Sequence, residues 1–325
     1  YRAASLSRRR ARPAGRSGRD ARGTMEPTAS GRDARGTMGD ARDAIGLNFW
    51  ARRGYSDGMQ TDTLTVTVMG SGTSAGVPMI GCHCPVCESA DPRDKRTRPS
   101  IVVSYPDADG VQRTILIDTT PELRLQAVAN RIDRIDAVVY THAHADHIFG
   151  LDDVRRYNTL LHAPLPLYAS TEALSTLRTS FAYAFEKHEL VPDALYRPEL
   201  SPAIIEGPFP LFDRTWTPVP LVHGRFRVLG FRIQGFAYCT DCNAISPESR
   251  ALLQGLDVLI IDGPRPRPHP THLSFEQAVE VIGDLKPRRA YLTHVSHDMS
   301  HAAIEASLPP QVRVCFDGQS LELPL

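Results

Sequence analysis

From position 63 onward the chain is written in short apolar runs and alternations separated by turn residues. Thr63-Leu64-Thr65-Val66-Thr67-Val68-Met69 alternates as a half-buried strand does and ends in the Gly-rich stretch 70–78. Ile101 to Tyr105 and Thr114 to Asp118, joined by Pro106-Asp107-Ala108-Asp109-Gly110, predict a hairpin. Asp136 to Tyr140 is a short apolar run of the kind a fully buried strand shows. Further strands are expected at Phe226 to Ile233, Leu256 to Ile261, Arg289 to Thr293 and Val312 to Phe316. Helices are expected over Pro121 to Ala129, with Thr120 as N-cap and Pro in the first position, and over Thr171 to Glu189, with Ser170 as N-cap. The second carries Leu174, Leu177, Phe181 and Phe185 as an apolar stripe suited to a core. A third helix spans Ser274 to Leu285. Strand runs followed by helices, twice over, predict an α/β fold of two stacked sheets flanked by helices.

The preceding segment is of another kind. Arg, Gly, Ala and Asp dominate it, and Gly18-Arg19-Asp20-Ala21-Arg22-Gly23-Thr24-Met25 recurs unchanged from Gly31 to Met38. Such a composition buries too little apolar surface to fold, so residues 1–60 are expected to be a disordered extension and 61–325 the folded domain. Through Gly58 there are 13 Arg against 6 acidic residues, while the whole chain is neutral by count, so the remainder is acidic. A basic arm suits nucleic acid or a transit peptide. An overextended gene model is the reading preferred here, since Met59 lies just before the first strand pattern. No apolar run approaches the ~20 residues that cross a bilayer, so a soluble, cytoplasmic protein is expected. Six cysteines fit a reduced compartment better than a disulfide scaffold.

Candidate chemistry gathers first in Thr141-His142-Ala143-His144-Ala145-Asp146-His147, at the mouth of the 136–140 strand. In extended backbone, side chains at i and i+2 share a face, so His142 and His144 can converge on one ion. A helix starting near Asp146 would turn that carboxylate and His147 towards a second. Imidazole with carboxylate suits zinc, iron or manganese. His223, Asp241 and His294 each follow a short apolar or β-prone run, where ligands from several strand ends can meet at one edge of a layered sandwich.

A second cluster is Gly81-Cys82-His83-Cys84-Pro85-Val86-Cys87. Three thiols at this spacing can surround one tetrahedral zinc, with the fourth ligand from His83 or His297. Cys239 and Cys242 flank Asp241, and a redox or metal-binding pair is the lesser reading of that segment.

The HxHxDH motif with the later His, Asp and His in order resembles the metallo-β-lactamase superfamily, over Leu64 to the C-terminus. The resemblance implies a four-layer αββα sandwich. The added Cys cluster and Thr293-His294-Val295-Ser296-His297 look like the PhnP-type branch, the phosphoribosyl 1,2-cyclic phosphate phosphodiesterases. By that resemblance His297 completes a structural zinc with Cys82, Cys84 and Cys87. Leu116-Ile117-Asp118 also matches, and the segment from Asp262 ends in an active-site His, here His272. The stretch Gly263 to His269 departs from the family in composition.

On this reading His142, His144 and His223 hold one divalent ion, Asp146, His147 and His294 a second, and Asp241 bridges both. Manganese, zinc, iron and nickel all suit such donors. The ions would neutralise charge on a phosphodiester and bring a bridging water towards a pKa of ~7. Asp146 and His272 are the expected catalytic residues, His272 steadying the phosphate or protonating the leaving group. As an alternative, His272 merely caps the helix near Ser274. The expected substrate is a small cyclic phosphodiester. Rival readings are a tRNA 3′-processing phosphodiesterase, from which the Cys cluster points away, and a pyrroloquinoline-quinone biosynthesis protein, which typically lacks an intact HxHxDH. A zinc-stabilised nucleic-acid-binding protein is the non-catalytic rival. A small phosphorylated partner is expected rather than a membrane or nucleic acid, with a homodimer left open.

Overall fold

The structure, a computed structural model, describes residues 63–186 and 197–325. The expected N-terminal extension and the end of the 171–189 helix lie outside the described residues. Seven strands form the first sheet: β1 (Thr63–Gly70), β2 (Ser100–Pro106), β3 (Gln112–Ile117), β4 (Ala137–Val139), β5 (Leu165–Ala169), β6 (Leu200–Ile204) and the last of the chain, β14 (Ser320–Pro324). The second holds β7 (Phe209–Leu211), β8 (Arg214–His223), β9 (Phe226–Ile233), β10 (Phe236–Cys239), β11 (Val258–Asp262), β12 (Arg289–Thr293) and β13 (Val312–Val314). Their spatial orders are β14-β1-β2-β3-β4-β5-β6 and β13-β12-β11-β10-β9-β8-β7. The α-helices among the described residues are α1 (Leu123–Asn130), α2 (Ala145–Ile148), α3 (Arg155–Leu161), α4 (Thr171–Ser180), α5 (Ala182–Phe185), α6 (Pro247–Leu252), α7 (Phe275–Leu285) and α8 (His301–Ser307).

Side-chain alternation explains the layers. In β3, Ile115 and Ile117 enter the core between the sheets, whereas Leu116 enters a second core beneath the helices of the first half. In β11, Val258 and Ile260 face the inter-sheet core while Leu259 and Ile261 face the helices of the second half. Strands buried on both faces read as unbroken apolar runs, as these do. The outcome is the expected four-layer αββα sandwich. Among the described residues no helix is long and apolar enough to cross a membrane.

Two expected helix boundaries move, each for a local reason, and a third holds. α1 starts at Leu123, two residues after the proline, because the Thr120 hydroxyl donates to Gln126 Oε1 at 2.9 Å instead of capping. The helix from Thr171 does begin on the Ser170 cap, but it breaks at Phe181, whose ring packs 5.9 Å from Phe149. α7 carries the full capping box of Ser274 and Gln277, and buries Phe275, Ala278, Val281, Ile282 and Leu285. Each of its large apolar side chains contributes about 1.5–3 kcal/mol.

Strands β3, β4, β5 and β6 run parallel, as do β10, β11, β12 and β13. Their carboxyl ends open onto the edge where polar side chains can gather.

Candidate metal centre

Four strand ends supply the candidate ligands. After β4 the backbone stays extended through His144 (φ −69°, ψ 155°), then turns into α2 at Ala145, so His142 and His144 share a side while Asp146 and His147 come from the first helical turn. His223 closes β8, Asp241 follows β10 and His294 follows β12. The ligand atoms of His142, His144, His223 and Asp241 all lie within 4.8 Å of one another. So do those of Asp146, His147, Asp241 and His294. Asp241 belongs to both sets. Its Oδ2 lies 3.9 Å from His142 Nε2, 4.0 Å from His223 Nε2 and 3.4 Å from His294 Nε2, and its Oδ1 lies 3.4 Å from His147 Nε2. The seven residues expected from the sequence are thus brought together.

Hydrogen bonds fix which nitrogen faces inward in His142, His147 and His223. His223 Nδ1 lies 2.7 Å from the Thr271 carbonyl, which only accepts, so Nδ1 carries the proton and Nε2 a lone pair. His147 Nδ1 donates in the same way to Asp118 Oδ2 at 2.7 Å. The Thr141 hydroxyl gives its proton to Asp118 Oδ2 at 2.7 Å, so it accepts from His142 Nδ1 at 3.0 Å. The Nε2 atoms of His142, His147 and His294 are buried with no hydrogen-bond partner. Orphaned buried polar atoms are costly, and three aimed at shared carboxylates fit a cation.

The electrostatics agree. Burial, with His147 nearby, holds His142 well below the usual imidazole range, and burial with His223 lowers His144. Burial alone would raise Asp146 and Asp241. The adjacent imidazoles outweigh it, His147 at Asp146 and His294 with His147 at Asp241, and both carboxyls are lowered. Burial likewise opposes charging His147 and His294, yet Asp241 raises both. Ionised carboxylates among buried imidazoles make a site that calls for positive charge. Asp118, Asp241 and His294, at strand ends that carry the site, also adopt left-handed backbone (φ 65°, 52° and 62°), uncommon for residues with a Cβ.

His272 faces this centre and is not the helix cap, a place taken by Ser274. Its Nδ1 lies 3.2 Å from both Asp262 oxygens, and its ring centroid is 4.7 Å from those of His223 and His294. Sequence reasoning missed the parts played by Asp262 and the Thr271 carbonyl, and matched Asp118 without giving it a role. The available signal was an Asp closing an apolar strand, Leu116-Ile117-Asp118 and Ile260-Ile261-Asp262.

The thiols form a separate group. His297 Nδ1 lies 3.3, 3.4 and 3.5 Å from the sulfurs of Cys82, Cys84 and Cys87. A tetrahedral zinc with ordinary Zn–S and Zn–N lengths sets such pairs about 3.6 Å apart, so the four fit. The Cys87 N–H and then His297 pull Cys84 down to about 6, whereas burial pushes Cys87 up to about 11. His83 is turned to solvent and pairs with Glu88 at 3.0 Å, which removes it as the fourth ligand. Cys239 and Cys242 are fully buried, and burial pushes Cys239 up to about 12, so neither is a reactive thiol.

Two apposed sheets with this ligand edge define the metallo-β-lactamase fold. Residues 113–295 match the beta-lactamase superfamily domain, and the chain belongs to that superfamily. Within it the chain lies in the PhnP-like branch. The crystal structure of a new diphosphatase from the PhnP family is 41% identical with a TM-score of 0.74, covering 81% of this chain and 98% of that one. An octanoyltransferase of Porphyromonas gingivalis (strain ATCC BAA-308 / W83) is 39% identical over 257 residues, 77% of this chain, and the chain spans about half (50%) of that protein's length. The coenzyme PQQ synthesis protein B of Xanthomonas campestris pv. campestris (strain B100) is 30% identical over 227 residues, 62% of this chain and 73% of that protein.

Proposed function

We propose that this protein is a metal-dependent phosphodiesterase that opens a small cyclic phosphodiester of a phosphorylated sugar or nucleotide. The observation that carries the reading is the set of buried, unpartnered Nε2 atoms of His142, His147 and His294 around Asp241, the carboxylate shared between two ligand groups, with the His142 and His147 rings aimed there by their own Nδ1 hydrogen bonds. His142, His144 and His223 would hold one divalent ion, Asp146, His147 and His294 another, with Asp241 between them. Two such ions polarise a phosphoryl oxygen and bring water towards a pKa of ~7. Cys82, Cys84, Cys87 and His297 would hold a structural zinc with no open position. The likeness to a PhnP-family diphosphatase supports a phosphorus-centred substrate over a lactone or thioester.

The residues around the ions have separate tasks. Asp118, through His147, and Thr271, through His223, keep imidazole lone pairs turned inward. Asp262 holds His272 Nδ1 and leaves Nε2 for the substrate. As water adds to phosphorus and the bond to the leaving oxygen breaks, the His272 Nε2 proton passes to that oxygen, giving a phosphomonoester and a free hydroxyl.

The test is hydrolysis of cyclic and linear phosphodiesters by protein reconstituted with manganese or zinc, with a lactone and a thioester as controls. A cyclic phosphodiester should be the preferred substrate, and Asp146→Ala should abolish turnover and lower metal content. Faster cleavage of the lactone or thioester would sink the proposal, as would full activity of Asp146→Ala.

A further inference from the structure

Phe226 belongs to neither ligand group, yet it packs against the first. β8 and β9 are joined by only Gly224 and Arg225, and His223 pairs with Phe226 across the ladder. The Phe226 ring also meets the His144 ring nearly at right angles, with centroids 5.4 Å apart. His144 and His223 are themselves neighbours at 5.1 Å, so one phenyl ring borders two candidate ligands of the same ion. For all this contact Phe226 remains 46% exposed. Its open surface therefore lies beside the place where a substrate bound to that ion must sit.

The turn that presents the ring is held firmly. Gly224 has a positive φ of 60°, as the first central residue of a two-residue hairpin turn requires, and a Cβ there would lie 2.8 Å from the Thr271 side chain. Its N–H donates to Asn243 Oδ1 at 2.7 Å. Thr271 is also the residue whose carbonyl orients His223, so wall and ligand are positioned by the same loop. The Arg225 guanidinium lies 5.1 Å from the Phe226 centroid, joining a planar cation to the aromatic surface.

We propose that Phe226, with Arg225 beside it, is the specificity wall of this site, and that the organic group on the scissile phosphate presents a flat aromatic face to it, as a nucleobase does. The inference rests on the phosphoesterase reading above. An aromatic ring coupled to arginine is a stacking platform that accepts any base through its π-face. A bare sugar phosphate would leave that ring wet.

The experiment compares binding of AMP and ribose 5-phosphate to the metal-loaded protein by calorimetry, with metal content measured on every variant. Wild type should favour AMP. Phe226→Ala should reduce the ratio of the two affinities by roughly tenfold, within the range that stacking a base on an aromatic side chain contributes. Phe226→Tyr should keep the ratio. Phe226→Leu, which preserves apolar packing on His144, should lose it with metal content retained, separating recognition from displacement of the ligand. Equal wild-type affinities, or a ratio unchanged in both Ala and Leu variants, overturn the proposal. Wild type that binds neither compound and cleaves no phosphodiester overturns the phosphoesterase reading itself.

Discussion

Asp118→Asn is the sharpest probe of how the centre is held, because it changes a proton and hardly any volume. The buried Asp118 accepts from the Thr141 N–H at 2.8 Å through Oδ1, and from the Thr141 hydroxyl and His147 Nδ1 at 2.7 Å each through Oδ2. An amide has one accepting oxygen, and the Thr141 N–H holds it at the Oδ1 position. The NH2 then faces Thr141 Oγ1 and His147 Nδ1, so Nδ1 must accept and the ring proton moves to Nε2. That atom lies 3.5 Å from Asp146 Oδ2 and 3.4 Å from Asp241 Oδ1, and a protonated nitrogen there cannot ligate. Loss of such a supporting hydrogen bond costs about 10–100-fold in metal affinity or activity, or roughly 1.4–2.7 kcal/mol. Competition against a chromophoric chelator measures it directly, and elemental analysis should show about one ion fewer per chain at limiting metal. Metal affinity and turnover both within twofold of wild type would refute the tautomer argument.

Three further outcomes follow from the same geometry. His272→Ala should slow cleavage of an alkoxide ester more than of a nitrophenyl ester at unchanged metal content, and equal losses on both would remove the proton-donor role. Cys84→Ser and His297→Ala should each lose about one zinc and lower Tm, because metal binding there is linked to folding, whereas His294→Ala should lose a catalytic ion and keep the zinc; His297→Ala behaving like His294→Ala would remove His297 from the thiol site. Burial would raise the Asp107 carboxyl, but hydrogen bonds from Arg113 and the Val111 and Asp109 N–H groups outweigh it and hold it below the usual range. Its contribution is therefore present above the unfolded pKa of about 3.9 and lost as pH falls through the lower folded value, so Asp107→Asn should differ from wild type in urea midpoint at pH 7, by an amount that shrinks as the pH is taken below about 3.9.

Much of the fold was legible where pattern and burial coincide. β1, the β2–β3 hairpin and α7 fall within a residue or so of their expected bounds, because alternation, turn chemistry and an N-cap all point the same way there. β5, β6 and β7 escaped, and each contains a proline: Pro166, Pro202 and Pro210. Pro218 and Pro220 of β8 are tolerated because β7 pairs only with Arg214 to Trp216, so beyond that point β8 needs few donors on its outer side. The ligands were legible because they must be His, Asp or Cys at strand ends. Their supports were less so. A backbone carbonyl such as that of Thr271 leaves no trace in residue type, and an Asp after a strand reads equally well as a turn.

The left-handed backbone at Asp118, Asp241 and His294 changes what an alanine scan of this centre would measure. Asp and His tolerate that conformation better than most residues, whereas alanine brings a Cβ with no local hydrogen bond to offset it, at about 1–2 kcal/mol. An alanine at any of the three sites thus removes a functional side chain and strains the chain at once, and the measured loss belongs to neither alone. Glycine removes the same side chain but relaxes the turn. Glycine variants should therefore be about 1 kcal/mol more stable than their alanine counterparts while equally inactive, and that difference in unfolding free energy is the share of each position that belongs to the main chain.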